Sequence, residues 1–133
     1  MNSTEVVTSS SVHTTAPWGK TDQPDFLNQS VLIRTQLTVA ELMGNILAIE
    51  KEMGRVREEK WGPRIIDIDV ILFGDEIVNS PLAVIPHPHM HERKFVLEPS
   101  AEIAAEMIHP VFKKTIAELL TVCEQTILTP TVQ

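Results

Sequence analysis

Residues 65 to 75, Ile65-Ile-Asp-Ile-Asp-Val-Ile-Leu-Phe-Gly-Asp75, carry the strongest strand pattern in the chain. The segment is rich in branched apolar residues, and the turn pair Gly74-Asp75 closes it. Because successive side chains of a strand point to opposite faces, Asp67 and Asp69 share one face while Ile68 faces the other way. The pattern predicts a strand over 65–73 that presents two carboxylates on one face.

These two carboxylates admit two interpretations. Separated by roughly 7 Å along a strand, Asp67 and Asp69 suit a hard cation such as Mg²⁺, which takes one or two carboxylates together with substrate phosphates. Alternatively, they belong to a solvated sheet face, where acidic residues discourage edge pairing. The same face continues into Ile71 and Phe73, so it is not simply a polar face.

Further strands are predicted earlier in the chain. Residues 5–12 and 30–36 are rich in branched residues and favour strands, with a loose N-terminus as the alternative for 5–12. Between them, residues 13–28 contain two prolines, one glycine and two aspartates, a composition typical of an irregular loop.

Two capping boxes predict helices, one beginning at Thr38 with Glu41 and the other at Thr115 with Glu118. The apolar stripe of the first helix leads to Glu50 before Gly54 offers a stop, which places Glu50 on the side that faces the core or a cleft.

Three further segments lie between the acidic strand and the second helix. They are a short apolar segment at Ile77-Val78, a proline- and histidine-rich loop over 81–91, and an alternating apolar run around Phe95-Val-Leu97. The resulting order predicts an α+β fold around a largely antiparallel sheet, with a frayed tail over 126–133.

Composition restricts the class of protein. The chain has 133 residues, of which 43% are hydrophobic, and a single cysteine, Cys123. One domain over 1–133 is therefore expected, without an internal disulfide framework. No apolar run reaches the ~18 residues of a membrane span, and the N-terminus lacks a signal-peptide layout. The expectation is a cytoplasmic protein without a membrane partner.

Charge is unevenly distributed. The formal net charge is −7, which argues against non-specific binding of nucleic acid. Between Lys51 and Arg64, however, five of the eleven basic residues stand against three acids, so this segment is +2 and the rest of the chain −9. A small basic island on an acidic protein favours a compact anion, although ordinary surface charge is the alternative.

Histidines alternate in Pro86-His-Pro-His-Met-His91. Such spacing is compatible with a zinc or nickel site at His87, His89 and His91, but nothing in the sequence supplies a fourth ligand. No Walker-type glycine loop or GxGxxG motif is present, so phosphate binding cannot rest on a glycine cradle.

Several motifs occur in an order that is typical of one known family. They are Arg55-Val-Arg57, Trp61-Gly-Pro-Arg64 and Asp67-Ile-Asp69, followed by Pro86-His87, Arg93 and Phe95-Val-Leu97. In this arrangement the chain closely resembles the 6-hydroxymethyl-7,8-dihydropterin pyrophosphokinases of folate biosynthesis.

The resemblance implies an enzyme that transfers the terminal diphosphate of ATP to the hydroxymethyl group of a reduced pterin and releases AMP. It implies two Mg²⁺ ions on Asp67 and Asp69, and a catalytic role for these residues together with Arg55 and Arg57. The residues implied to contact ATP are Glu50, Arg55, Arg57, Trp61, Arg64, His87 and Arg93. Those implied to contact the pterin are Thr15, Pro17, Trp18, Phe26, Asn28 and Phe95.

The implied fold is a ferredoxin-like sandwich, as a monomer or homodimer. Family members typically begin with a strand carrying Gly-Ser-Asn and a helix, whereas Met1 stands where the second strand is expected, so the sheet is expected to be incomplete at the N-terminus. Ala16, Ser100 and Ala105 also stand where the family usually has proline, leucine and proline. The alternative function is a non-catalytic module that binds ATP or pterin.

Overall fold

The computed structural model describes residues 3–15, 26–55 and 67–128. These residues form three α-helices and three two-stranded antiparallel sheets, so the α+β class is confirmed. The elements in chain order are β1 (Thr4–Ser9), β2 (His13–Thr15), β3 (Phe26–Asn28), β4 (Val31–Thr35), α1 (Val39–Arg55), β5 (Val78–Asn79), β6 (Val84–Ile85), α2 (Lys94–Ala104) and α3 (Ile116–Leu128).

The first sheet joins β1 to β4 and confirms a strand in each of the two early segments, although β1 ends at Ser9, three residues before the predicted end. Its ladder runs from Thr4 opposite Thr35 to Ser9 opposite Val31, with an irregularity between Val6 and Thr8. The Thr4 and Thr35 hydroxyls share a hydrogen bond of 2.6 Å across the ladder. Branched residues favour strands; in this ladder the β1 side chains from Glu5 to Ser9 are exposed, whereas Leu32 and Ile33 of β4 are half-buried.

The second sheet corrects part of the predicted loop over 13–28. The two ends of that segment are β2 and β3, which pair with His13 opposite Asn28 and Thr15 opposite Phe26. Composition favoured a loop because the prolines and glycine lie between the two strands, at positions 16–25, outside the described residues. A ladder of three residue pairs forms only where two particular segments pair, and the composition of a segment does not show which segment it pairs with.

Helix α1 begins at the predicted capping box. The Glu41 amide donates to the Thr38 hydroxyl at 3.2 Å, and the Thr38 amide donates to the Glu41 carboxylate at 2.9 Å. Leu42 and Ile46 are buried on the predicted apolar stripe. The helix continues through Gly54 and ends at Arg55, one residue beyond the predicted stop.

Helices α2 and α3 pack together and supply four of the five residues of the main buried cluster. Met90, Leu97, Ile116, Leu119 and Cys123 form one buried cluster. The capping box that starts α3 is confirmed, since the Glu118 amide donates to the Thr115 hydroxyl at 3.1 Å and the Thr115 amide to the Glu118 carboxylate at 2.8 Å. Helix α3 continues to Leu128, two residues past the point where the tail was expected to begin.

The apolar run at Phe95-Val-Leu97 lies in α2 and not in an extended segment. Leu97, Ala101 and Ala104 all contribute to the core cluster or pack against it. Their spacing of four and three residues is helical, so burial against α3 selects a helix where three apolar residues alone were ambiguous.

The predicted strand over 65–73 is wrong for residues 67–73, which pair with no described strand. Exposure still alternates: Asp67 and Asp69 are exposed, whereas Ile68 and Val70 are half-buried. Ile71 and Leu72 pack against the core cluster. Alternation reports which side chains face the core, but a strand also requires a neighbour for its backbone groups, and the pattern cannot supply that neighbour.

The third sheet is a short hairpin of β5 and β6, in which Val78 lies opposite Ile85. Val78 of the short apolar segment Ile77-Val78 lies in β5, and β6 lies inside the segment over 81–91 that was predicted to be a loop. Among the residues that the structure describes, no helix is long and apolar enough to cross a membrane.

Candidate functional site

The structure describes about half of the predicted site. The side chains of Asn28, Glu50, Asp67, Asp69, His87, Arg93 and Phe95 are described. Pro17, Trp18, Arg57, Trp61 and Arg64 lie outside the described residues, while Thr15, Phe26 and Arg55 are located only as terminal residues of β2, β3 and α1.

Glu50 connects α1 to the acidic segment. Its Oε2 atom accepts a hydrogen bond of 2.7 Å from the backbone amide of Ile68, the residue between the two aspartates. The sequence placed Glu50 on the inward stripe of α1, and the structure shows what it binds there. This bond secures the backbone between Asp67 and Asp69 while both of their side chains are exposed.

The donor set fits a cation that is shared with a ligand. The described part of the chain contains no group of three or more histidine, cysteine, aspartate or glutamate side chains placed to hold a metal ion. Two exposed carboxylates on one secured segment do not form an all-protein cage. They do suit Mg²⁺, which commonly binds through one or two carboxylates and completes its octahedron with phosphate oxygens and water.

His87 lies beside this segment and is tied to it. Its amide donates to the Ile71 carbonyl at 2.9 Å, and the His89 amide donates to its Nδ1 atom at 3.1 Å. Burial lowers the pKa of His87; Asp69 raises the pKa, and Arg93 and His89 lower it further. Because Nδ1 accepts a hydrogen bond, the proton of the neutral ring is on Nε2, which leaves an N–H donor for an anionic oxygen.

Arg93 and Phe95 extend the site at the start of α2. Arg93 is the residue that precedes the helix, and its guanidinium carbon lies 5.8 Å from the centre of the Phe95 ring. This is within the range of a cation–π contact. The structure therefore brings together one predicted phosphate ligand and one predicted pterin contact, close enough to His87 for the charge of Arg93 to affect its pKa.

The three alternating histidines do not form a shared metal face. The rings of His87 and His89 are 6.3 Å apart, centre to centre, whereas His91 packs edge-on against Phe112 at 4.7 Å. A short 3₁₀ turn over Met90–Glu92 rotates His91 away from the alternation expected of a strand. The zinc or nickel interpretation is therefore wrong for these residues.

Asn28 lies on β3 opposite His13, and both strands of this hairpin pack against α2, which also carries Phe95. The hairpin and the start of α2 are thus parts of one neighbourhood, although no described contact joins Asn28 to Phe95.

A polar cluster that sequence reasoning did not single out lies at the base of this hairpin. Glu102 of α2 accepts hydrogen bonds from the Ser11 amide at 2.9 Å, from the Ser11 hydroxyl at 2.9 Å and from His13. Two sequence signals were present: Ser11 and His13 are two residues apart and so on one face of an extended segment, and Glu102-Ile103 lies within the stretch that resembles the family.

Comparison with known proteins shows a family match that includes the site residues described above. The family model of 7,8-dihydro-6-hydroxymethylpterin-pyrophosphokinase matches residues 1–105, a range that contains Asp67, Asp69, His87 and Arg93. The chain belongs to this family.

Individual members of the pyrophosphokinase family are also similar to this chain. A 2-amino-4-hydroxy-6-hydroxymethyldihydropteridine pyrophosphokinase from Haemophilus influenzae is 41% identical over 110 residues, which are 83% of this chain and 69% of the relative. A protein of the same name from Synechocystis is 44% identical over 81% of this chain and 55% of its own length. One from Methylorubrum extorquens is 48% identical over 77% of this chain and 65% of its own length. The chain thus spans between about half and just over two thirds of these relatives.

Proposed function

We propose that this chain transfers the terminal diphosphate of ATP to the hydroxymethyl group of 6-hydroxymethyl-7,8-dihydropterin and releases AMP, a step of folate biosynthesis. The observation that carries the proposal is a pair of hydrogen bonds, one from the Ile68 amide to Glu50 and one from the His87 amide to the Ile71 carbonyl. They secure the two aspartates beside an N–H donor and an arginine, inside the part of the chain that matches the family.

The reaction joins the pterin hydroxyl oxygen to the β-phosphorus of ATP as the bond from that phosphorus to the oxygen retained by AMP breaks. The hydroxyl proton leaves to solvent. Entering and leaving oxygens must lie in line, so the protein contributes mainly position and neutralising charge. No covalent nucleophile on the protein is required.

The phosphate side has three contributors in this proposal. Asp67 and Asp69 hold Mg²⁺, two ions in the complete complex, and the metal supplies neutralisation of the phosphate charge when it is bound. His87 donates its Nε2–H to a phosphate oxygen, and the arginines add fixed positive charge. The residues proposed to contact ATP are Glu50, Arg55, Arg57, Trp61, Arg64, His87 and Arg93, and the proposed catalytic residues are Arg55, Arg57, Asp67 and Asp69.

The pterin side is formed by the hairpin of β2 and β3 and by the start of α2. Aromatic rings can stack on a flat heterocycle, and an amide can read its donor and acceptor edge. The proposed contacts are Thr15, Pro17, Trp18, Phe26, Asn28 and Phe95. The proximity of the hairpin to α2 supports this assignment.

The wider setting is also proposed. The domain covers 1–133 as a ferredoxin-like sandwich and works in the cytoplasm as a monomer or homodimer, with ATP and a reduced pterin as its partners and neither nucleic acid nor membrane. Support comes from the acidic net charge of −7 and from the α+β pattern of antiparallel pairs.

The decisive experiment incubates the full chain with ATP, Mg²⁺ and 6-hydroxymethyl-7,8-dihydropterin and follows AMP by chromatography. AMP formation that requires both pterin and metal supports the proposal. Binding of ATP without AMP formation would show instead a non-catalytic module.

A further inference from the structure

Glu102 concentrates three hydrogen-bond donors on one carboxylate. They are the Ser11 amide at 2.9 Å, the Ser11 hydroxyl at 2.9 Å and the His13 ring. The Ser11 amide, followed by His13 and the Ser11 hydroxyl, lowers the pKa of Glu102. The carboxylate is therefore charged at neutral pH, and it joins α2 to the segment between β1 and β2, some 90 residues away along the chain.

The contact lies at the base of the β2–β3 hairpin. His13 is the first residue of β2 and pairs with Asn28, the last residue of β3. Thr15, opposite Phe26, lies two residues further along the ladder, or roughly 7 Å. A bond to His13 thus restrains both strands that carry these three proposed pterin contacts.

A second polar link secures the same hairpin to the same helix. The Ser30 and Ser100 hydroxyls are 2.9 Å apart, and Ser100 is buried in α2. Ser30 also exchanges hydrogen bonds with Ser10, whose hydroxyl accepts from the Ser30 amide at 2.9 Å and whose amide donates to the Ser30 carbonyl at 2.8 Å. The segment before β2 and the segment after β3 are therefore hydrogen-bonded to each other and to α2.

Helix α2 carries Phe95 on the same side as Glu102. Phe95 and Glu102 are seven residues apart, which is close to two helical turns, so they lie on the same side of α2 about 10 Å apart along its axis. Glu102, near the C-terminal end of α2, contacts the hairpin through His13. Phe95, near the N-terminal end, lies beside Arg93.

These contacts do not form a nucleophilic triad. The Ser11 hydroxyl is 3.4 Å from His13, but at Nε2, the same atom that contacts Glu102. A general base in a serine triad uses one ring nitrogen for the serine and the other for the acid. The cluster is a structural clamp.

We propose that Glu102 is a positioning residue for the pterin, because it clamps the β2–β3 hairpin to α2 and so sets Thr15, Phe26 and Asn28 against Phe95. The inference rests on the proposed function for the identity of the ligand. The clamp itself concerns only how the hairpin is held.

The kinetic test compares three variants of the full chain. Glu102→Ala is expected to raise KM for the pterin about tenfold, as expected for loss of a charge-assisted contact, with less than about a twofold change in kcat or in KM for ATP. Glu102→Gln, which keeps an acceptor oxygen, should recover most of the affinity. Glu98→Ala, one turn earlier on α2, is the matched control and should resemble the unaltered chain. An unchanged KM for the pterin, or an equal loss in both substrates and in kcat, would overturn the proposal.

A second measurement does not depend on turnover. Hydrogen exchange followed by mass spectrometry should show faster exchange of the β2 and β3 amides in Glu102→Ala, with the β1–β4 ladder and α3 unchanged. Equal protection of the hairpin in both proteins would refute the clamp even if AMP is formed. Conversely, absence of AMP from the unaltered chain with faster hairpin exchange in the variant would refute the proposed function and leave the clamp in place.

Discussion

The backbone amide of Ile68 lies between the exposed residues Asp67 and Asp69, and its hydrogen bond helps to fix their position. Two neighbouring carboxylates repel each other, so support of their backbone from other elements matters. Glu50 supplies that support from α1 through a bond of 2.7 Å, and the amide of His87 supplies more through the Ile71 carbonyl. Hydrogen bonds to main-chain atoms thus position the segment that carries the two aspartates.

The role of Asp69 can be tested directly. Asp69→Asn removes one proposed anionic metal ligand, and we expect AMP formation to fall by about a thousandfold or more, because metal neutralisation of phosphate charge contributes several kcal/mol. The matched control is Asp75→Asn in the exposed turn after Phe73, which should leave turnover unchanged. A variant Asp69→Asn with near-normal AMP formation would remove Asp69 from the metal site.

The support given by Glu50 predicts a change in stability. Glu50→Ala leaves the half-buried Ile68 amide without its carboxylate partner, and we expect the free energy of unfolding to fall by about 1 kcal/mol or somewhat more. Glu50→Gln keeps an acceptor and should lose less. Urea denaturation measures both, with Lys51→Ala as the surface control. Equal stability of Glu50→Ala and the control would mean that the bond contributes nothing net.

At the scale of elements, α3 depends on its first turn as well as on its buried face. Ile116, Leu119 and Cys123 face the core, while Thr115 and Glu118 exchange two hydrogen bonds at the start of the helix. The Thr115 amide, more than its hydroxyl, lowers the pKa of Glu118. The capping box therefore stabilises the helix that closes the core beneath α2.

The capping box can be tested by removing one hydroxyl. Thr115→Ala should lower the free energy of unfolding by about 1 kcal/mol, the usual loss at an N-cap. The same chemical change inside the helix, Thr121→Ala, removes no cap and should be neutral or slightly stabilising, because alanine is the better helix former. Similar destabilisation by the two variants would contradict a capping role.

At the scale of the whole molecule, stability should depend on pH through groups far apart in the chain. His109 is buried, and its Nδ1 atom accepts the Val111 and Phe112 amides at 3.1 Å each, while its ring stacks on Phe112 at 4.4 Å. Burial lowers the pKa of His109 below its ordinary value of 6.5, and the nearby His91 lowers it further. The folded protein therefore favours the neutral ring.

The sign of the pH dependence follows. A histidine with a lowered pKa in the folded state gives its full stability above pH 6.5, and this is lost as pH falls through the folded-state pKa. The pKa values of Glu102 and Glu118 are also lowered, so their contributions are present above about 4.5 and are lost on further acidification. We expect the urea midpoint to decline in two stages below neutrality.

The variant His109→Asn separates the two stages. Asparagine keeps an acceptor near the position of Nδ1 but does not titrate, so the decline below pH 6.5 should shrink while the decline near 4.5 persists. Urea midpoints measured from pH 4 to 8 provide the comparison. An unchanged upper stage would assign it to another group, His87 being the next candidate.

Local patterns were sufficient for several parts of this protein. The two capping boxes predicted the starts of α1 and α3, and branched residues predicted β1 and β4, because these signals involve neighbours a few residues apart. Residue motifs were sufficient for the family, which the match over residues 1–105 confirms. The inward position of Glu50 also followed from helical periodicity alone.

Only the tertiary structure decided which segments meet. Residues 67–70 show the alternating exposure expected of a strand, but residues 67–73 have no described strand beside them. Phe95-Val-Leu97 is helical because α3 covers its apolar side. The clamp between Glu102 and His13 joins residues 89 positions apart. Sequence periodicity encodes how each residue is oriented along its own element, whereas partners for backbone and carboxylate groups come from distant parts of the chain, and only folding brings them within hydrogen-bond reach.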